Sequence, residues 1–432
     1  MAAARVRTGG SVGRLAALAG SYARRVSPAV LEQHGDGSVF SALGVWLLLA
    51  ACAPVAQGSD RAALEEALGC PADEAGRLLT AFVAAPPPAL KAALAVWVRI
   101  ADATAEVAQW ARGLPDGVQS GFMPTQAEAD AWAERETLGL IGQFPLEIDE
   151  LTRIVLASAL ATKVSWEVPF GVVPAADHCA VGSGWASAVS RLLWDGEPEG
   201  HAMIARTEAA GIVAVHCAVA REDLTVMSVS AAPDVDRGAV CASAHEVAAR
   251  VCGDWGRGAC SLYDLPLGPG HSWEISEQQV PTYVPESRPE RIAGVALPAW
   301  RMKGDLDLTL SPAFGTAPAL ETLRTLIGPR PDDQCEAAQA AVASFTRYGF
   351  EAAAVTALGI RASAARLPVG RSMQRTAVLR FDHPFAVVAI AVGEDAAFDG
   401  LPLFSAWVHE PTEPEDDPPG SPRHGRGGAS GH

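Results

Sequence analysis

The sequence predicts an α+β domain, and three observations predict it. Helical patterns crowd the first part of the chain, among them Gly37 to Ser59, a stretch without a single charged residue. From Ala92 onward strand-like runs dominate, ending in Phe381–Val392 and Leu403–Val408. Ahead of these last two, Phe350 to Ile360 alternates with the period of a half-buried strand, in a small-residue segment where an exposed loop is due.

Composition sets the bounds. A length of 432 residues allows one large domain or two to three ordinary ones. A hydrophobic content of 49% supplies a core. The formal charge of −17 argues against a nucleic-acid partner, because phosphate binding needs clustered Lys and Arg. Lysine occurs only at Lys91, Lys163 and Lys303, so nearly all positive charge is arginine. The 8 cysteines include no Cys-x-x-Cys pair and read as buried free thiols. His178-Cys179 and His216-Cys217 fit no zinc spacing. No metal or cofactor is expected.

Taken in order, the chain opens on a basic segment with Arg5, Arg7, Arg14, Arg24 and Arg25. Its apolar part, Leu15 to Ala19, is too short for a signal-peptide core, which points to the cytoplasm. Ser11 to Val26 reads as an amphipathic helix. The uncharged stretch around Val45-Trp46-Leu47-Leu48-Leu49 falls short of the ~20 apolar residues of a membrane span and reads as a buried helix. Asp60 opens a helix closed by Gly69, and another lies within Ala72 to Val83. Ala92 to Ile100 is a strand. Ala210–Val215 and Leu224–Val229 make a hairpin, and Asp236 to Val251 is helical. Pro266 to Pro289 reads as surface chain, Leu320 to Ile327 as a helix, and Glu410 to His432 as a disordered tail.

Several motifs resemble those of one family in one consistent order. Ser38-Val39-Phe40-Ser41-Ala42-Leu43-Gly44 is similar to a Val-Phe-Ser-Pro-x-Ser run, with Ala42 and Gly44 as departures. Trp132 to Ile141 resembles a Trp-Val-x-x-x-Thr-x-Gly-x-Ile helix, and Ile154–Leu160 with Trp166 to Phe170 resembles the long strand after it. Leu297-Pro298-Ala299-Trp300, the Gly349–Thr356 stretch and Asp382-His383-Pro384-Phe385 complete the set. The family is that of the serpins, and the chain is identified as a divergent, bacterial-type member. The resemblance implies a single domain over residues 21–411, with an N-terminal extension at 1–20 and a tail at 412–432. It implies about three sheets, about eight or nine helices and an exposed reactive-centre loop at 350–375.

In that family a protease cleaves the loop, which then inserts as an added strand and drags the acylated protease with it. The chain is therefore expected to be an inhibitor and not an enzyme. Its partner would be a subtilisin-, elastase- or trypsin-like serine protease, with no membrane role, a monomeric state and, by family habit, an extracellular location as the other possibility. The hinge would be Gly349, Phe350, Glu351, Ala352, Ala353, Ala354, Val355 and Thr356. Ser41, Ser158, Gln339 and Trp166 would govern opening of the sheet. Inhibitory serpins usually carry two acids before the hinge glycine and Thr after it. Here Arg347, Tyr348 and Phe350 stand there, and a Phe in a gap shaped for Thr costs ~1–3 kcal/mol by overpacking. The alternative reading is a non-inhibitory serpin-like binding or structural protein.

Counting forward from Gly349 puts the reactive bond at Ser363-Ala364. Counting back from Phe385 puts it at Met373-Gln374. An inserted strand should end before Pro368, which favours Ser363-Ala364, with Arg361, Ala362, Arg366, Arg371 and Met373 as alternates. Gly9-Gly10-Ser11-Val12-Gly13 matches a nucleophile elbow but lacks the buried strand before it.

Overall fold

A computed structural model describes residues 13–33, 35, 37–180, 182–251, 255–282, 288–330, 336–350, 370–392 and 398–416. Among them are ten α-helices and four hydrogen-bonded sheets.

The first helix, Arg14–Gln33, buries Leu15, Leu18, Tyr22, Val26 and Val30, the spacing of one helical face. It runs past the expected end at Val26 and through Pro28, so a boundary at residue 20 would cut it. Ser38–Phe40 follows as a short strand. Helix Ala42–Cys52 starts at Ser41, whose Oγ accepts the Gly44 N–H at 3.2 Å. It is wrapped on nearly all sides, which explains its lack of charge. Trp46 Nε1 donates to the Leu68 carbonyl at 3.2 Å. Among the described residues no helix is long and apolar enough to cross a membrane. The next helix begins at Gly58 and not Asp60, which lies in its first turn, and Gly69 ends it at φ 73°.

One six-stranded antiparallel sheet runs Ser38–Phe40, Leu401–Val408, Phe385–Ala391, Leu224–Ser230, Gly211–Val219, Ala202–Thr207. Helices Arg14–Gln33 and Arg237–Val251 cover it. A second runs Gly268–Pro269, Trp273–Thr282, Gly370–Arg380, Glu290–Leu297, Arg191–Asp195, Gly171–Pro174. Strand Trp273–Thr282 corrects the reading of 266–289 as surface chain. Trp273 and Ile275 are buried while Glu274, Ser276, Glu277 and Gln278 are not fully so, a pattern too short to stand out in the sequence.

The remaining strands form a layer in two parts. Val118–Phe122, Lys91–Val98 and Ile154–Ala161 make one part. Trp300–Asp307, Ala338–Phe345, Gly349–Phe350 and Val164–Ser165 make the other. Among the described residues, Ile154–Ala161 has no ladder to Ala338–Phe345. The layer is thus divided in two, which makes four sheets among the described residues where about three were expected.

The chain end also differs from expectation. Thr412 N–H donates to Ala299 O at 2.7 Å, and Arg191 pairs with Glu413 and Asp416 at 3.4 and 2.8 Å. Opposite charge holds residues 412–416 against the second sheet. The 6 described cysteines are free, as expected: Cys52, Cys70, Cys179, Cys217, Cys241 and Cys260.

Candidate functional site

The site is the slot between strands Ile154–Ala161 and Ala338–Phe345. Each strand has spent one edge on a neighbour, Lys91–Val98 and Trp300–Asp307 respectively, and turns the other toward the slot. Along Ile154–Ala161, Val155, Ala157 and Ala159 pack against Trp97, Trp132 and Phe144 under helix Gln126–Glu136. The opposite residues, Ile154, Leu156, Ser158 and Leu160, are half-buried on the face turned to helix Ala42–Cys52.

The top of the slot is closed by aromatic rings and by the short strand Gly349–Phe350, which begins the expected hinge. Phe345 pairs with Phe350, which pairs in turn with Val164, while Gly349 pairs with Ser165. The Phe350 ring is 3% exposed and meets Trp300 edge-on at 6.1 Å. Its burial removes the expected overpacking: the gap above Trp300 is built for a ring. Trp166 touches Phe345 at 4.8 Å, and its Nε1 donates to Thr346 O at 2.9 Å. The Trp166 and Phe170 N–H groups donate to Tyr348 O and Arg347 O, both at 3.0 Å. Arg347 Nε donates back to Phe170 O at 3.0 Å. His216, beside Phe170, bonds Asp195 Oδ2 at 3.1 Å. Burial is the largest single influence on the Asp195 carboxyl and pushes it up, but the His216 bond and charge, the Glu197 N–H and His201 together hold the group below the usual carboxylate range.

The middle brings three expected residues together. Gln339 Oε1 accepts the Ser41 N–H and its Nε2 donates to Ser41 O, both at 2.9 Å. Ser41 Oγ donates to Leu403 O at 2.7 Å. A Cβ at Gly44 would stand 3.1 Å from Ser158 Oγ and 3.2 Å from Gln339 Nε2. Gly44 is therefore the position at which helix Ala42–Cys52 approaches both strands closely.

The bottom is a cavity of about 500 Å³ lined by Val45, Leu48, Leu156, Leu308, Leu323 and Ile327 among others. Cys52 also lines it, and burial pushes that thiol up to about 12.

No protein-family profile and no curated protein matches this sequence. Solved structures do. The thermophilic serpin tengpin in its native state aligns over 94% of this chain and 96% of its own, at 14% identity and TM-score 0.60. The fold is that of the serpins. Human thyroxine-binding globulin in complex with thyroxine aligns over 93% of this chain and 99% of its own, at 14% identity and TM-score 0.61. Serpin48 of the insect Tenebrio molitor aligns over 91% and 97%, at 16% identity and TM-score 0.56.

Within the serpin fold, Gly349 and Phe350 are the described part of the expected hinge. Glu351, Ala352, Ala353, Ala354, Val355, Thr356 and the expected bond at Ser363-Ala364 lie outside the described residues, as do Arg361, Ala362 and Arg366. Arg371 and Met373 lie in strand Gly370–Arg380, paired with Pro281 and Gln279, and Tyr263 OH donates to Met373 O at 2.6 Å. The expected loop at 350–375 thus ends, in structural terms, before Gly370. The Gly9–Gly13 motif falls largely outside the described residues.

One serine–histidine–aspartate arrangement escaped the sequence reading. His383 lies 3.1 Å from both Ser230 Oγ and Asp382 Oδ1. Its Nε2 also lies 2.8 Å from the Ala231 carbonyl, which can only accept, so that nitrogen carries a proton and cannot take one from Ser230. Ser230 is fully buried, and the trio fastens the strand junction without making a nucleophile. The Asp-His-Pro-Phe motif was the available signal; its serine partner lies 152 or more residues away.

Proposed function

We infer that the chain inhibits a serine protease by inserting its cleaved loop into this slot. The register at the top supports the reading. Extending the pairs Phe345–Phe350 and Phe350–Val164 down the slot sets Thr356 opposite Gln339 and Ser158. It sets Leu358 opposite Ala337 and Leu156, and Ile360 opposite Ile154, all of which line the cavity. The alternation found in the sequence then has a physical purpose, because the apolar face from Phe350 to Ile360 is the one that meets the cavity. Burying Leu358 and Ile360 contributes ~1.5–3 kcal/mol each. New backbone pairing on both edges adds to this.

Such an inhibitor needs no cofactor, works as a monomer and presents Ser363-Ala364, or a neighbouring bond, to a subtilisin-, elastase- or trypsin-like enzyme. The altered hinge does not favour the non-inhibitory alternative, since Phe350 already sits in a fitted pocket. Incubation with representatives of the three protease types, followed by denaturing gels, tests the reading. A protease-linked band that survives denaturation is expected. Simple loop cleavage by all three, without such a band, overturns it.

A further inference from the structure

The cavity at the bottom of the slot has the properties of a ligand site in its own right. Its volume of about 500 Å³ lies in the ~300–1,000 Å³ range of small-molecule pockets. Leu48, Leu49, Leu156, Leu308, Leu320 and Leu323 form its walls, and none of the described lining residues is aromatic. Several of its polar side chains are engaged with the protein. Thr316 Oγ1 donates to Leu308 O at 2.6 Å, and Arg153 and Arg330 share Asp102 at 2.6 and 2.7 Å. Arg324 pairs with Glu321 at 2.7 Å, and Arg99 Nε donates to Thr152 O at 2.7 Å. None of the buried unpaired polar atoms belongs to a lining residue. Against the leucine walls a sugar or nucleotide would leave its own polar groups unpaired, which is costly, whereas an alkyl chain would not. Charge of both signs stands among the lining residues, at Arg324 and Arg330 and at Glu147, Glu150 and Glu336.

We propose that this cavity binds a single-chain aliphatic amphiphile, with its alkyl chain against the leucine walls and its small polar head toward the charged residues. The occupied volume is the one Leu358 and Ile360 would enter, so the ligand competes with loop insertion; that consequence alone rests on the inhibitory reading.

The test uses the intact full chain and a fluorescent polyene fatty acid as probe, displaced by dodecanoate or dodecanol. Saturable binding of one probe per chain is expected, weakened at least tenfold by Ala319→Phe, which fills the cavity from helix Thr316–Leu326. Ala337→Phe, at another lining position, serves if the first variant melts early. Displacement by dodecanoate alone assigns the head group to the arginines, and by both compounds assigns binding to the chain. Absence of saturable binding, or undiminished binding by a folded cavity-filled variant, overturns the proposal. Loss of the competition with insertion while binding persists counts against the inhibitory reading and leaves the ligand site standing.

Discussion

The side-chain amide of Gln339 grips the backbone of Ser41 from both sides, accepting its N–H and donating to its carbonyl at 2.9 Å each. This single side chain ties strand Ala338–Phe345 to the start of helix Ala42–Cys52. An amide suits the task because it offers one donor and one acceptor in a fixed plane. Gln339→Ala leaves both Ser41 groups without those partners and should cost ~1–3 kcal/mol. Urea unfolding of intact protein, with an unchanged slope and a lower midpoint, is the expected result.

Phe350 is the second point at which the intact protein is fastened. Its ring is 3% exposed between Trp300 and the Val164 strand. Phe350→Ala removes a buried ring and should destabilise by roughly 3–5 kcal/mol. Phe350→Thr, which restores the usual family residue, should also destabilise, because Thr cannot reach Trp300. A gain in stability with Thr would show that the pocket is not fitted to Phe.

How much of this was legible follows from the range of the interactions. Alternation along Phe350–Ile360 is local and could be read directly, whereas Ile154–Leu160 was placed by resemblance and its alternating burial is seen only in the structure. Ser41, Ser158 and Gln339 were placed by motif order, and the structure brings them around Gly44. The two-sided bond of Gln339 was not legible, since it joins residues 298 positions apart. The pocket for Phe350 was misread for the same reason: Trp300 decides its size. Strand Trp273–Thr282 was missed because its pairing with Gly370–Arg380 organises it, while only Trp273 and Ile275 bury apolar side chains.

Loop insertion makes a thermal prediction. Protein nicked between Gly359 and Pro368 should melt well above the intact form, because a strand is added and the cavity filled. Ile360→Asp would place a carboxylate beside the apolar side chain of Ile154, where a buried charge is costly. The nicked variant should lose much of the rise while the intact one melts as before. Calorimetry of the four samples decides; an equal rise in both nicked forms would mean Ile360 stays outside.

Acid should weaken the native state before any carboxylate titrates. His245 is 3% exposed, with Nε2 3.3 Å from Ser405 Oγ. Burial, aided by Arg24, lowers its pKa to about 4. The unfolded chain takes up this proton near pH ~6.5 and the native chain does not, so stability is full above ~6.5 and falls toward pH 4. Burial lowers His178 and His271 too, which adds to the same window. His245→Gln should flatten the pH 7-to-4 slope by roughly 2–3 kcal/mol. An unchanged slope in urea titrations would show that His245 is not the group responsible.

The scissile bond follows from where the slot ends. The extended register pairs Ile360 with Ile154, the first residue of its strand, so chain beyond Ile360 has no partner there. Pro368 independently forbids a continuing ladder. The competing bond, Met373-Gln374, lies within strand Gly370–Arg380, where Met373 and Gln374 pair with Gln279 and Gln278. A protease holds its substrate as an added strand and needs backbone that is not already so engaged. Reaching that bond would require stripping this part of Gly370–Arg380 from strand Trp273–Thr282 and breaking the Tyr263 bond to Met373. Cleavage should therefore fall near Ser363, and the fragment released by denaturing the protease complex should begin at Ala364 or within a few residues of it. Mass spectrometry of that fragment reads the position directly. A start at Gln374 would mean that the strand opens first and that the slot does not set the length of the inserted segment.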